Sequence, residues 1–308
     1  RPRVVTWARE AGYRLLGSRF DYLLHTRPAE WPIMAAHTLV GSVLAAGVDG
    51  ILRGERLASA LLGIGLWVVC LNGGTLALNS AFDRDEGDIA YLRHPPAPPA
   101  HLAKFGVCLM VLGLLGAFLL PAGYRGAYGV CLGLSVLYSV PPFRMKSVPG
   151  ADWIINMLGF GTLTPYAGWA ATGIPLDRVH GLVLVAFCPL FAALYPLTQI
   201  YQLEEDRDRG DRTLALMLGV RRSLVVSLVA AGVAFGLLAL AGIRAGWGPD
   251  DLWRWLVLGL CAVVWGVLLT SWLHRHRLMS ERDHQRGMYL ALGAWAITDL
   301  AVVLAWGS

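Results

Sequence analysis

Long apolar stretches separated by short polar and charged segments dominate the 308-residue sequence. Most of them approach or exceed the roughly 20 residues that a helix needs to cross the hydrocarbon core of a bilayer. The pattern therefore predicts nine membrane-spanning helices. They cover residues 31–48, 57–80, 105–121, 126–141, 153–171, 181–201, 220–242, 255–273 and 287–306.

The composition supports this interpretation. Hydrophobic residues make up 56% of the chain, charged residues only 15%, and the mean hydropathy is +0.54. About a quarter of the residues in soluble domains are charged, so an ordinary soluble domain is excluded. Long Leu, Val and Ala runs exclude disorder, and five cysteines exclude a disulfide-stapled scaffold. The sequence predicts an all-α integral membrane protein.

Basic residues are distributed unequally between the two predicted sides of the membrane. Of the 26, 20 fall in the N-terminal segment and in the loops after helices 2, 4, 6 and 8. The positive-inside rule places these segments in the cytoplasm, which implies a multi-pass protein of a bacterial inner membrane or its equivalent. Residues 1–28 are rich in Arg and are expected to form an amphipathic helix on the membrane surface, ahead of a transmembrane domain at 29–308.

Two short acidic windows follow helices 2 and 6 on the predicted cytoplasmic side. Residues 79–88 read NSAFDRDEGD and residues 202–211 read QLEEDRDRGD, and together they hold nine of the 21 acidic residues. Like charges gathered at one membrane face repel each other unless a cation separates them. Oxygen ligands combined with substrate phosphates are what Mg²⁺ prefers, so the windows predict a pair of Mg²⁺ sites. Two solvated loops with internal Arg pairs are the alternative.

Polar residues extend each window into the helix before it. Helical spacing groups them on two faces, which carry Asn72, Asn79, Asp83 and Glu86 on helix 2 and Thr198, Gln202, Glu205 and Asp206 on helix 6. Polar side chains are costly at membrane depth, so both faces are expected to border one wet cavity. Asn156 is expected to line it too, with Asp152, for which a role at the helix start is equally open.

Four motifs occur together in the first two thirds of the chain. Asn79 and Asp83 match NDxxDxxxD. The second motif, DxEGDRxxGxxTLAxxLG, is matched in register by Glu204, Asp206, Arg207, Gly210, Thr213, Leu214, Ala215, Leu218 and Gly219. Residues 138–146 read YSVPPFRMK, close to YSxPPxRxK, and residues 27–28 read RP before helix 1. In combination these motifs resemble those of the UbiA superfamily of intramembrane prenyltransferases, over about residues 25–220.

The sequence departs from the family pattern at several positions. Ser80 stands where the first motif has Asp, and Gly87 stands where its last acid is expected, with Asp88 directly after it. Gln202 replaces the leading Asp of the second motif and offers a metal only a neutral carbonyl oxygen. The ligands of the second metal therefore stay open, with Glu204 or Glu205 as substitutes.

The resemblance implies a UbiA-like bundle of nine helices around a central cavity that opens to the cytoplasm. It implies Mg²⁺-dependent transfer of an isoprenyl group from its diphosphate to a small aromatic or lipid-like acceptor. The implied metal ligands are Asn79, Asp83, Asp85, Asp88, Gln202, Glu205 and Asp206. The groups expected to bind diphosphate are Arg93, Arg144 and Lys146.

Loss of diphosphate leaves an allylic cation that aromatic faces can stabilise. Tyr138 is the first candidate for this role, which makes Asp83, Asp206 and Tyr138 the expected catalytic residues. Asn72, Asn156 and Tyr195 are expected to line the cavity and contact the acceptor. The implied partners are an isoprenyl diphosphate, a small hydrophobic acceptor and membrane lipids rather than nucleic acid, and the oligomeric state stays open.

Two other functions compete with prenyl transfer. The altered second motif motivates a UbiA-type terpene cyclase, in which the ionised diphosphate closes on itself without an acceptor. A transporter or channel with acidic cation sites is disfavoured, because the acids gather at one face rather than at the midplane. Asp299 is the sole acid within the last three spans. It is expected near the noncytoplasmic end, paired with Arg244 or Arg254 or facing the interface.

Overall fold

The computed structural model describes residues 7–83, 92, 94–208 and 212–307, without the side chains of Glu205 and Asp208. Within this part the fold is all-helical, with 84% helix and no strands. The prediction of an all-α protein is confirmed. Asp85, Asp88 and Arg93 lie outside the described residues.

The helices follow each other in one connected series. In chain order they are α1 (Trp7–Leu16), α2 (Phe20–His25), α3 (Trp31–Ile51), α4 (Glu55–Gly65), α5 (Gly73–Asp83), α6 (Leu102–Ala117), α7 (Ala122–Ser139), α8 (Ala151–Asn156), α9 (Thr164–Ala171), α10 (Arg178–Ile200), α11 (Leu203–Asp208), α12 (Leu214–Arg244), α13 (Leu252–Arg275) and α14 (Glu281–Trp306). A π-helical segment, Leu66–Asn72, joins α4 to α5, and a second one, Met157–Leu163, joins α8 to α9.

Six helices of the described chain are long and apolar enough to cross a membrane. They are Trp31–Ile51, Glu55–Asp83, Arg178–Ile200, Leu214–Arg244, Pro249–Leu278 and Glu281–Trp306. The predicted multi-pass character is therefore supported by length and composition. The third, fourth and fifth predicted stretches also form helices, α6, α7 and residues 151–171. Membrane crossing by nine helices stays a prediction.

Polar residues at several helix N-termini explain where the helices begin. Asp177 accepts hydrogen bonds from the backbone N–H groups of the first turn of α10, and Thr213 accepts one from Leu216 at the start of α12. Ser280 and Asp283 form a reciprocal capping box at α14. Each cap satisfies backbone donors that have no partner within the helix. The Thr213 cap places the start of α12 directly after the second acidic window.

Helices α3 and α9 cross at very short range. A Cβ atom on Gly41 would overlap the carbonyl oxygen of Pro165, and one on Gly168 would overlap that of Thr38. Ser42 Oγ donates a hydrogen bond of 2.8 Å to the Gly168 carbonyl oxygen. Small residues allow such close backbone contact between membrane helices. The crossing holds α3, which forms one wall of the central cavity, against α9.

We expect Gly41→Ala to force α3 and α9 apart. Overpacking of this kind costs about 1–3 kcal/mol, because backbone atoms have to move. The melting temperature in detergent should fall accordingly. Gly232→Ala in α12 is the matched control, since a Cβ there meets nothing within 4 Å. Equal melting temperatures for the two variants would contradict the close crossing.

Candidate functional site

A cavity of about 320 Å³ lies among α3, α5, α7, α8, α10, α14 and the two π-helical segments. Its walls are mainly apolar, with a few polar side chains that converge on the interior. The structure places the predicted cavity residues Asn72, Asn156 and Tyr195 in this lining, together with Asn79 and Tyr138. The two polar faces predicted on helices 2 and 6 meet here as well, because Asn72 and Asn79 of helix 2 and Thr198 of helix 6 line the same cavity.

The first acidic window is in contact with two of the predicted diphosphate-binding groups. The Lys146 Nζ atom forms an ion pair with Asp83 and lies 3.2 Å from Asn79 Oδ1. Arg144 Nη2 lies 3.4 Å from Asp83 Oδ1. Four residues from segments about 60 positions apart in the chain thus form one polar cluster at the end of α5.

The loop after α7 brings Arg144 and Lys146 into this cluster. Pro141 and Pro142 stop the helix, because proline lacks the backbone N–H and disfavours helical geometry in the residue before it. The Arg144 N–H donates to the Val140 carbonyl oxygen at 3.0 Å, and Ser147 Oγ donates to the Arg144 carbonyl oxygen at 2.9 Å. These bonds close a compact turn that carries both basic side chains.

The second acidic window presents one buried carboxylate in the described chain. Asp206 is 4% exposed, and Thr213 Oγ1 lies 3.4 Å from its Oδ2. The Asp206 N–H donates to the Gln202 carbonyl oxygen at 2.8 Å, and the Gln202 side chain is half-buried. The side chain of Glu205 is outside the described residues. Asp206, in α11, is therefore in contact with the residue that caps α12.

Gln199 is a buried polar residue of this region that sequence reasoning missed. Its Nε2 donates to Asp152 Oδ2 at 3.0 Å, and its Oε1 accepts a bond of 3.2 Å from the Ala215 N–H. Asp152 Oδ1 accepts from the Gly150 N–H at 3.0 Å, so its helix-start role is the one the structure shows. Gln199 thereby links the start of α8 to the start of α12. Its position one helical turn before Gln202 is the sequence signal that could have identified it as a residue of this region.

Aromatic side chains form one side of the cavity. The hydroxyl oxygens of Tyr138 and Tyr195 lie 3.3 Å apart. The Phe191 ring stacks on Tyr195 at 6.2 Å and on Phe160 at 5.4 Å between centroids, and Trp295 meets Phe191 edge-on at 5.5 Å. Such rings offer electron-rich faces to a cation in the cavity.

Asp299 forms a buried pair with His37, so the expectation that it pairs with Arg244 or Arg254 or faces the interface is wrong. The His37 Nδ1 atom lies 3.0 Å from Asp299 Oδ2, and its Nε2 lies 3.3 Å from the Gly161 carbonyl oxygen. Arg254 instead contacts Asp251, three residues before it. The pair joins α3, α14 and the second π-helical segment. His37 also lines the cavity and was absent from the sequence-based site.

The donor set at the end of α5 fits a hard divalent cation. The Asp83 and Asn79 oxygens already contact one positive charge, the Lys146 ammonium group. A carboxylate and an amide oxygen are ligands that suit Mg²⁺. The described residues contain no group of three or more His, Cys, Asp and Glu side chains placed to hold a metal. Further predicted ligands, Asp85, Asp88 and the Glu205 carboxylate, lie outside that part of the chain.

The fold and the site together define a class of protein. Apolar helices surround a cavity, and a cluster of carboxylate, amide and basic groups lies at its edge, an arrangement that suits an enzyme for amphiphilic, anionic substrates within a membrane. The chain belongs to the UbiA prenyltransferase family, whose profile matches residues 34–293. The prediction of a prenyltransferase of this family is confirmed.

Curated relatives of the chain include three kinds of enzyme. A digeranylgeranylglyceryl phosphate synthase of Halobacterium salinarum is 30% identical over 287 residues, which is 89% of this chain and 95% of that protein. A lycopene elongase/hydratase of the same species is 31% identical and aligns over 72% of this chain and 84% of its own length. A homogentisate solanesyltransferase of Arabidopsis thaliana is 28% identical over 65% of this chain and 57% of its own length.

Solved structures share the fold. A structure described for digeranylgeranylglyceryl phosphate synthase superposes with a TM-score of 0.69 at 15% identity, covering 93% of this chain and 97% of that one. A UbiA homologue from Archaeoglobus fulgidus, bound to DMAPP and Mg²⁺, gives a TM-score of 0.65 at 18% identity over 92% and 99% of the two chains. At these identities the likeness concerns the fold alone.

Proposed function

We propose that this protein is a Mg²⁺-dependent prenyltransferase that moves an isoprenyl group from an isoprenyl diphosphate to a small aromatic or lipid-like acceptor. The contact of Asn79 and Asp83 with Arg144 and Lys146, beside a mainly apolar cavity, carries the proposal. Membership of the UbiA family and the Mg²⁺-bound structures of family members support it. The relatives' names mention lycopene, homogentisate and a glyceryl phosphate, which agrees with an acceptor of this kind.

The two acidic windows would hold the cation and the basic groups the diphosphate. We assign metal binding to Asn79, Asp83 and Asp206. The other proposed ligands are Gln202, for which no side-chain contact is described, and Asp85, Asp88 and Glu205, whose side chains lie outside the described part of the chain. Bound Mg²⁺ would neutralise the negative charge that develops on the leaving group. Arg144 and Lys146, with Arg93, would donate charge-assisted hydrogen bonds to diphosphate oxygens. To do so, Lys146 must exchange its contact with Asp83 for the diphosphate.

The cavity would then keep the allylic cation away from water. Its apolar walls exclude solvent, and the hydroxyl-paired rings of Tyr138 and Tyr195 lie in the lining beside Asn156. Negative charge at ring faces favours a cation over a neutral chain, so these rings would lower the barrier to ionisation. Helix α14 contributes Leu292 and Trp295 to the lining, so the isoprenyl tail would lie against apolar side chains.

The predicted orientation completes the proposal. With nine spans, the N-terminal segment and both acidic windows would lie in the cytoplasm. Water-soluble Mg²⁺ would then reach the site directly from that side. Helix α1 has no buried residue, and it exposes Trp7, Leu15 and Leu16. These exposed apolar groups support a surface-lying role for α1. The end of the proposed N-terminal segment 1–28 is instead buried, at Leu24, His25, Thr26 and Arg27.

Incubation of the purified protein with Mg²⁺ and geranylgeranyl diphosphate, with and without acceptor, tests the proposed reaction. We expect covalent prenylation of an added acceptor and no cyclic product. A cyclic hydrocarbon or alcohol formed without acceptor would instead establish the terpene cyclase, which the neutral Gln202 in the second window favours. Release of no pyrophosphate under any of these conditions would reject both reactions.

A further inference from the structure

Glu30 brings a carboxylate into the wall of the cavity, away from both acidic windows. It lies just before the first residue of α3 and is 9% exposed. Among the described residues that line the cavity, it is the sole Asp or Glu. Glu30 belongs neither to the family motifs nor to the two polar faces predicted on helices 2 and 6, and the mechanism above gives it no role.

The Asn72 side chain supplies a hydrogen-bond donor beside this carboxylate. Asn72 is 5% exposed, lines the same cavity and interacts with Glu30. Its Nδ2 makes no hydrogen bond of full geometry with a protein acceptor, so its contact with the Glu30 carboxylate is a long and weak one. A buried N–H group without an acceptor is costly, so a bound molecule that accepts from Nδ2 would stabilise the site.

A carboxylate acceptor and an amide donor in one wall recognise a group that both donates and accepts. A hydroxyl group has this property, whereas a hydrocarbon chain has neither capacity. Asn72 lies seven residues before Asn79 on the same helical run, which is about 10 Å of helix. A diphosphate at Asn79 and Asp83 would therefore leave the first carbon of its isoprenyl chain directed toward Asn72 and Glu30.

We propose that Glu30 is the proton acceptor of the prenyl transfer and that Glu30 and Asn72 select an acceptor that presents a hydroxyl group. This inference rests on the proposed function. The acceptor oxygen forms a bond to the first carbon of the isoprenyl group, and the bond from that carbon to the diphosphate oxygen breaks. The electron pair of the broken bond leaves with the diphosphate. The hydroxyl proton passes to the Glu30 carboxylate, so no other reactant is needed.

The electrostatic environment of Glu30 suits this role. Burial raises the pKa of its carboxyl group, and the charge of Arg27 and the Asn72 amide oppose that shift. A general base is most effective when its pKa lies near the pH at which the enzyme operates, and the raised pKa brings the Glu30 carboxyl group nearer to that pH. Protonation of Glu30 would stop proton transfer, so the rate should fall as the pH decreases through this pKa.

Glu30→Gln tests the assignment, since it keeps the size of the side chain and removes the charge. The assay supplies Mg²⁺ and radiolabelled geranylgeranyl diphosphate with one of three probes, homogentisate, a long-chain glyceryl monoether or lycopene. We expect transfer to the hydroxyl oxygen of a hydroxyl-bearing probe, seen as an ether product, and a decrease in kcat of about 100-fold in Glu30→Gln, with little change in the KM for the diphosphate. The acidic limb of the pH profile should vanish in this variant and reappear in Glu30→Asp at a lower rate.

Glu55→Gln, at the exposed start of α4, is the matched control and should behave like the unchanged protein. Thermal stabilisation by Mg²⁺ with inorganic pyrophosphate verifies that each variant is folded. Wild-type kcat in Glu30→Gln, an unchanged acidic limb, or transfer to lycopene but to neither hydroxyl probe would overturn the inference. Absence of Mg²⁺-dependent pyrophosphate release by the unchanged protein would instead overturn the proposed function.

Discussion

Asp83→Asn should lower Mg²⁺-dependent release of pyrophosphate from an isoprenyl diphosphate by about 1000-fold. The substitution keeps the shape of the side chain and removes the charge that would hold the cation. Metal stabilisation of a leaving group contributes several kcal/mol, which corresponds to a rate factor of this size. Asp206→Asn should act in the same direction, because its carboxylate is the buried acid among the described side chains of the second window.

The measurement is pyrophosphate release by purified protein at saturating Mg²⁺ and substrate. Asp49→Asn provides the matched control, because Asp49 is exposed near the far end of α3 and belongs to neither window. Its rate should equal that of the unchanged protein. Full turnover in both Asp83→Asn and Asp206→Asn would rule out the metal-site assignment.

Breaking the buried pair of His37 and Asp299 should strongly destabilise the fold. The side chains are 6% and 13% exposed, so His37→Leu would leave a carboxylate buried without its partner. Removal of one member of a buried pair costs about 3–5 kcal/mol, whereas replacing both by apolar residues is often nearly neutral. The double variant His37→Leu with Asp299→Leu should therefore recover most of the lost stability.

Thermal or denaturant unfolding in detergent measures these differences as a double-mutant cycle. The His180 and Asp177 pair is a suitable control, because its side chains are 22% and 53% exposed. His180→Leu should cost under about 1 kcal/mol, as exposed ion pairs contribute little. If His37→Leu were no more damaging than His180→Leu, the buried pair would have no stabilising role.

Local patterns were sufficient for much of the site. Seven-residue spacing placed Asn72 and Asn79 on one face of a helix, and both line the cavity. The motif after the fourth predicted span pointed to Arg144 and Lys146, and the structure brings them to Asp83. Such residues are recognisable because their spacing, or the proline turn beside them, is encoded within a few positions.

Other groups have no signal of this kind. Glu30 is one acidic residue between Arg27 and the first span, and only the folded structure places it in the cavity wall beside Asn72. His37 and Asp299 are 262 positions apart, so their pairing depends on how α3 and α14 lie side by side. The position of Asp299 near a predicted helix end was therefore not enough to identify its partner.

The sequence by itself determined that this is an all-α, membrane-embedded member of the UbiA family with two acidic windows. Apolar run length and motif spacing are local properties that hold in any arrangement of the helices. The tertiary structure decided which side chains share a cavity, which acid Lys146 contacts, and that Glu30 and His37 face the same interior space. These are consequences of helix packing, in which close contacts such as that of Gly41 with Pro165 set distances between residues far apart in the chain.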